Sequence, residues 1–116
     1  MHSSSLCDFD WQQLRQLAGE DSEFESELLD IFLQDAQDSL QKLESAIASK
    51  SIQVVEEVAH SLRGASANVG ASALAAVALQ LEQAARGGDI TSARSLLRQL
   101  NRHCQRIRTQ FKSKRV

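Results

Sequence analysis

The sequence predicts an all-α fold, an antiparallel up-and-down four-helix bundle preceded by one short additional N-terminal helix. Three observations carry that prediction. The chain has no proline, the residue that breaks helices most strongly. Apolar residues recur at i, i+3, i+4 and i+7 nearly end to end, with no period-two alternation of the kind a strand needs. The breaks between long periodic segments span about two to four residues, which favours antiparallel neighbours.

Each element has its own signals. Phe9-Asp10-Trp11-Gln12-Gln13-Leu14 opens the short helix. Asp10 is its N-cap, Gln13 closes a capping-box-like pair, and Phe9 with Leu14 forms a hydrophobic staple. Gly19 ends it. Asp21 or Ser22 caps a much longer helix with the apolar stripe Phe24, Leu28, Ile31, Phe32, Leu40, Leu43 and Ile47, ending near Ser49. A third helix runs from about Ser51 to Val69, with Ile52, Val55, Val58, Ala59, Leu62, Ala65 and Val69 inward. Gly70 stops it. The fourth, from about Ser72 to Arg86, turns Leu74, Val77, Ala78, Leu81 and Ala85 inward. Gly87-Gly88 breaks the chain and Asp89 caps the last helix, which buries Ile90, Ala93, Leu97, Leu100, Cys104, Ile107 and Phe111. The bundle is expected over residues 8–112, with the short helix as a lid and with flexible termini at 1–7 and 113–116.

Bulk properties exclude several classes. A length of 116 residues, 42% hydrophobic and 24% charged, describes one soluble globular domain. No apolar run approaches the roughly eighteen residues that span a bilayer, and Met1 to Leu6 lacks the basic and apolar regions of a signal peptide. Cys7 and Cys104 are too few and too far apart for a disulfide framework or a zinc site. A cytoplasmic protein, monomeric and away from membranes, is expected. Charge is uneven: residues 1–60 carry 13 acidic and 3 basic side chains, residues 61–116 carry 2 and 10. Arg94, Arg98, Arg102 and Arg106 form an i,i+4 stripe that phosphate binding would favour. With no tyrosine and five aromatics in all, base stacking has little to work with. Salt bridges from this stripe to the acidic long helix and simple solvation are the expectation, and nucleic acid is not an expected partner.

The chemistry concentrates at His60. At about 100° per residue His60 falls opposite the apolar side of the third helix, with Gln53, Glu57, Gly64 and Ala67. Gly64 costs that helix about 1 kcal/mol relative to alanine, which suggests close approach of something to the backbone. Arg63, at i+3, brings a guanidinium within reach of any anion on the ring. A neutral imidazole is nucleophilic when a neighbour holds its tautomer. Glu82, on the flank of the next helix's apolar stripe, is placed to do so. Glu57 and His60 also have the Glu-x-x-His spacing of helical-bundle metal sites, but that chemistry needs two inward-facing copies. One outward-facing copy predicts no metal. Leu79 points away from the core, under the lid helix or into an apolar patch beside His60.

At these residues the chain resembles the histidine-containing phosphotransfer (HPt) domains of bacterial multistep two-component phosphorelays. The family hallmark is a histidine, two residues, then lysine and glycine, preceded by alanine and followed by small residues. Here it reads Ala59-His60-Ser61-Leu62-Arg63-Gly64-Ala65-Ser66, then Asn68-Val69-Gly70-Ala71. Leu81-Glu82-Gln83-Ala84-Ala85, Gly88-Asp89 and Leu28-Leu29-Asp30-Ile31-Phe32 fit as well, so the likeness covers about residues 8–110. The resemblance implies a phosphocarrier, not an ATP-dependent enzyme. His60 would accept a phosphoryl group from the receiver-domain aspartate of a hybrid histidine kinase and pass it to a response-regulator receiver. Glu82 would orient the imidazole and Arg63 would supply charge at the phosphoryl group. Gly64, Ala67, Ser61, Glu57 and Leu79 would form the docking face. No cofactor is implied, because the magnesium ion of such transfers sits in the receiver. Arg63 departs from the usual lysine, and a planar fork is not equivalent to an ammonium. Two other readings stay open: a non-transferring HPt-like adaptor that binds receivers, and a nucleic-acid-binding bundle that uses the arginine stripe. Met1 and the complete set of helices favour a stand-alone protein over a domain of a hybrid kinase.

Overall fold

Five helices follow one another in the computed structural model, which describes residues 9–115. They are α1 (Trp11–Leu17), α2 (Ser22–Ala48), α3 (Ile52–Val69), α4 (Ser72–Arg86) and α5 (Ile90–Arg115), and no strand occurs among the described residues. The long helices close a ring in which α2 packs on α3, α3 on α4, α4 on α5 and α5 on α2, while α1 lies against α2 and α3. None of these helices is long and apolar enough to cross a membrane. The flexibility expected of residues 1–7, and Cys7 with it, lies outside the described residues. At the other end α5 continues to Arg115, beyond the expected boundary at 112.

An aspartate side chain caps α1, α2 and α5, whereas α3 and α4 start without a side-chain cap bond. Asp10 accepts from the Gln13 N–H, and Asp21, not Ser22, caps α2 by accepting from the amides of Glu23 and Phe24. Asp89 accepts from the backbone N–H and the hydroxyl of Ser92, and these bonds hold its carboxyl below the ordinary range. Gly70 ends α3 at φ +94°, and a Cβ there would meet the Asp10 carbonyl oxygen at 2.7 Å.

Four expectations need correction. Gln13 does not fold back onto Asp10. Its Nε2 donates to the carbonyls of Ala67 (2.8 Å) and Asn68 (3.0 Å), and the Asp10 N–H donates to the Gly70 carbonyl at 2.7 Å. The last carbonyls of a helix lack internal partners, so the start of α1 satisfies the end of α3. On α2, Phe24 and Ile31 are exposed, whereas Leu29, Leu33 and Ala36 are buried. Two apolar phases overlap in this stretch, and the buried one runs Leu29, Leu33, Ala36, Leu40, Leu43, Ile47 in steps of four and three. On α3 Ser66, not Ala65, is inward, and on α5 Leu96 is buried while Leu97 is only partly so. Finally, for Arg94, Arg98 and Arg102 of the arginine stripe it is the expected solvation, and not the expected salt bridges to α2, that holds. Arg94, Arg98 and Arg102 are exposed without an ion pair among the described residues, and a side-chain link from α5 to α2 is the Arg108–Gln37 hydrogen bond.

Candidate functional site

The tight Gly70-Ala71 turn folds α4 back along α3, so residues of the second half of α4 meet the middle of α3. There His60 projects with 63% of its side chain exposed, and its Nδ1 lies 3.0 Å from Oε2 of Glu82. Glu82 is the opposite case, only 5% exposed. A carboxylate so far out of water must be well partnered to stay charged. Arg63 Nε donates to its Oε1 at 3.0 Å, and an Nη of Arg86 donates to its Oε2 at 3.2 Å. The hydrogen bond from His60, with the bond and charge of Arg63, holds the Glu82 carboxyl below its ordinary range against the opposing effect of burial.

Arg86 is in turn anchored by Glu56, whose Oε2 accepts from Nε at 3.0 Å and from Nη2 at 2.9 Å. Its guanidinium is pushed above its ordinary value first by that bond. Sequence reasoning brought His60, Arg63 and Glu82 together but missed Arg86 and Glu56. A signal was present in both cases. Arg86 stands four residues after Glu82 and Glu56 four before His60, so each shares a helix face with a member of the site. Glu82 itself is more deeply placed than its flank position suggested.

No hydrogen bond among the described residues engages Nε2 of His60, which leaves this nitrogen for an incoming group. Beside it Gly64 is exposed, and a Cβ added there would meet nothing within 4 Å. Nothing inside the protein therefore requires glycine at this position. Ser61, Ala67 and Glu57 are exposed on the same helix, Glu57 accepting weakly from Gln53 at 3.4 Å. Leu79 is 40% exposed on α4 and is not buried beneath α1. Among the described residues no group of three or more His, Cys, Asp or Glu side chains gathers as a metal site would require.

The family profile of the Hpt domain matches residues 27–110, a span that holds His60, Arg63, Glu82 and Arg86. The chain belongs to the Hpt domain family. Among solved structures this Hpt domain is similar to histidine-containing phosphotransfer protein B (HptB) from Pseudomonas aeruginosa PAO1. The two share 32% identity and a TM-score of 0.86, over 93% of this chain and 94% of that one. A histidine-containing phosphotransfer protein from rice shares the fold at TM-score 0.84 and 23% identity, over 94% of this chain and 80% of that one. No curated protein sequence matches significantly.

Proposed function

We propose that this Hpt domain is a phosphocarrier whose His60 takes a phosphoryl group from a receiver-domain aspartate of a hybrid histidine kinase and yields it to a response-regulator receiver. The observation that carries the reading is the His60–Glu82 contact at 3.0 Å on a ring whose Nε2 is unengaged. With hydrogen on Nδ1 donated to Glu82, the lone pair on Nε2 forms the N–P bond as the aspartyl O–P bond breaks. The ring gains positive charge as this happens, and a fixed carboxylate stabilises it. Arg63 offers a cation for the phosphoryl oxygens. Gly64, with Ser61, Ala67, Glu57 and Leu79 around it, is the face on which a receiver lies. The magnesium ion and the aspartate belong to that receiver. The carrier itself contributes the ring, its tautomer and the docking surface, and it acts in the cytoplasm as a monomer.

The test is transfer of label from phosphorylated receiver domains, with magnesium, to wild type, His60→Gln and Gly64→Ala. Label on wild type, acid-labile and alkali-stable, is expected, with none on His60→Gln while its helical content is unchanged. Gly64→Ala should fold with α3 more stable by about 1 kcal/mol and yet accept label more slowly. Receiver binding without label on wild type would replace the carrier with an adaptor.

A further inference from the structure

The contacts at His60 Nδ1 contain a contradiction that bears on the reaction. Glu82 Oε2 lies 3.0 Å from this nitrogen, and Arg63 Nη2 also lies 3.0 Å from it. An ionised carboxylate can only accept and a guanidinium can only donate. A neutral imidazole nitrogen carries either a hydrogen or an in-plane lone pair, so it cannot satisfy both neighbours at once. Each contact selects a different tautomer. Bonded to Glu82, the hydrogen is on Nδ1 and Nε2 is a bare nucleophile. Bonded to Arg63, Nδ1 is bare, the hydrogen is on Nε2, and the exposed nitrogen has no lone pair with which to attack.

We propose that Arg63 is a positioning residue that competes with Glu82 for His60 Nδ1 and holds part of the population in the non-nucleophilic tautomer until an incoming phosphoryl group draws the guanidinium away. The proposal rests on His60 being the acceptor and adds how that acceptor is armed. Its geometric basis is the planar fork. Arg63 reaches Glu82 Oε1 through Nε at 3.0 Å while Nη2 reaches the ring, two donors at fixed spacing that an ammonium does not offer. The Arg63 side chain is 36% exposed, which leaves it a path toward an anion in front of His60. Arming needs no co-reactant: the Nε2 hydrogen leaves to solvent and one is taken from solvent at Nδ1, where Glu82 accepts it. Transfer then proceeds with N–P formation and O–P cleavage, and the Nδ1 hydrogen stays in place. A partly armed population slows acceptance by the armed fraction.

Ring-nitrogen NMR on uniformly 15N-labelled protein, well above the ordinary histidine range near about 6.5, reports which nitrogen carries hydrogen. Wild type, Arg63→Lys and Arg63→Met are compared, and each is then given phosphorylated receiver. Wild type should show averaged shifts of the two tautomers, and both variants should move to the Nδ1–H form. Arg63→Lys, which keeps the charge, should accept label roughly twofold faster or more. Identical ring shifts in all three proteins, or a wild type already wholly Nδ1–H, would overturn the proposal. Ring shifts that move as expected with no label on any protein would leave the tautomer role standing and sink the carrier function instead.

Discussion

Glu82 shows how three short contacts decide the state of one residue. Almost out of water, it stays ionised because Arg63 and Arg86 donate to it and His60 joins them when its hydrogen is on Nδ1. Its folded-state pKa lies below the ordinary value of 4.5, so the ionised form is the one the fold favours. That contribution is fully present above about 4.5 and is lost as pH falls through the lower folded value. Glu82→Gln should therefore flatten the acid limb of stability against pH, measured by denaturant unfolding. An acid limb of unchanged slope would show that Glu82 is not the group responsible. Spacing alone paired His60 with Arg63 and pointed to Glu82, because a helical period fixes which side chains share a face. The depth of Glu82 was not legible. A flank position is covered or open according to where the neighbouring helix lies, and α3 lies over this one.

Among elements, α2 is the one whose face was misjudged. Phe24 and Ile31 lie on an apolar phase that also holds the half-buried Leu28, side by side with the inward Leu29, Leu33 and Ala36, and hydrophobicity alone does not separate the two phases over these first turns. The rest of the helix was legible because Leu40, Leu43 and Ile47 have no competing apolar phase beside them. Ile31, 60% exposed, and Leu33, 3% exposed, make this measurable. Leu33→Ala should cost about 2–5 kcal/mol, and Ile31→Ala should stay within about 0.5 kcal/mol, both by urea unfolding. Equal losses would return the stripe to its expected phase. The helix ends were read more securely, since Asp10, Asp21, Gly70 and Asp89 act through their own backbone neighbourhood. Gln13 was the exception. Its partner lies 54 residues away, and no local pattern foretells that.

For the whole molecule, the bundle was legible because short connections and a continuous helical period leave few alternatives. The opposed charges of the two halves pointed to an acidic helix beside a basic one, and α2 does pack on α5, although Arg94, Arg98 and Arg102 face solvent. Bundle closure can be followed from within at Cys104, which is 3% exposed and whose thiol burial pushes up to about 11. With Cys7 replaced by serine, a thiol reagent should modify the native protein at least about 100-fold more slowly than the unfolded chain. Comparable rates would mean that α5 leaves the bundle freely. At the opposite surface, the ion-paired side chains around His60 sum to no charge, two carboxylates in Glu56 and Glu82 against two guanidinium groups in Arg63 and Arg86. Glu57, exposed on the same helix as His60 with Gln53 as its side-chain hydrogen-bond partner, leaves the resting face with a single net negative charge. A phosphoryl group brings roughly one to two negative charges, and no surplus cation waits there to mask them. A partner can therefore tell a loaded carrier from an empty one by electrostatic potential alone, with neither helix having to move.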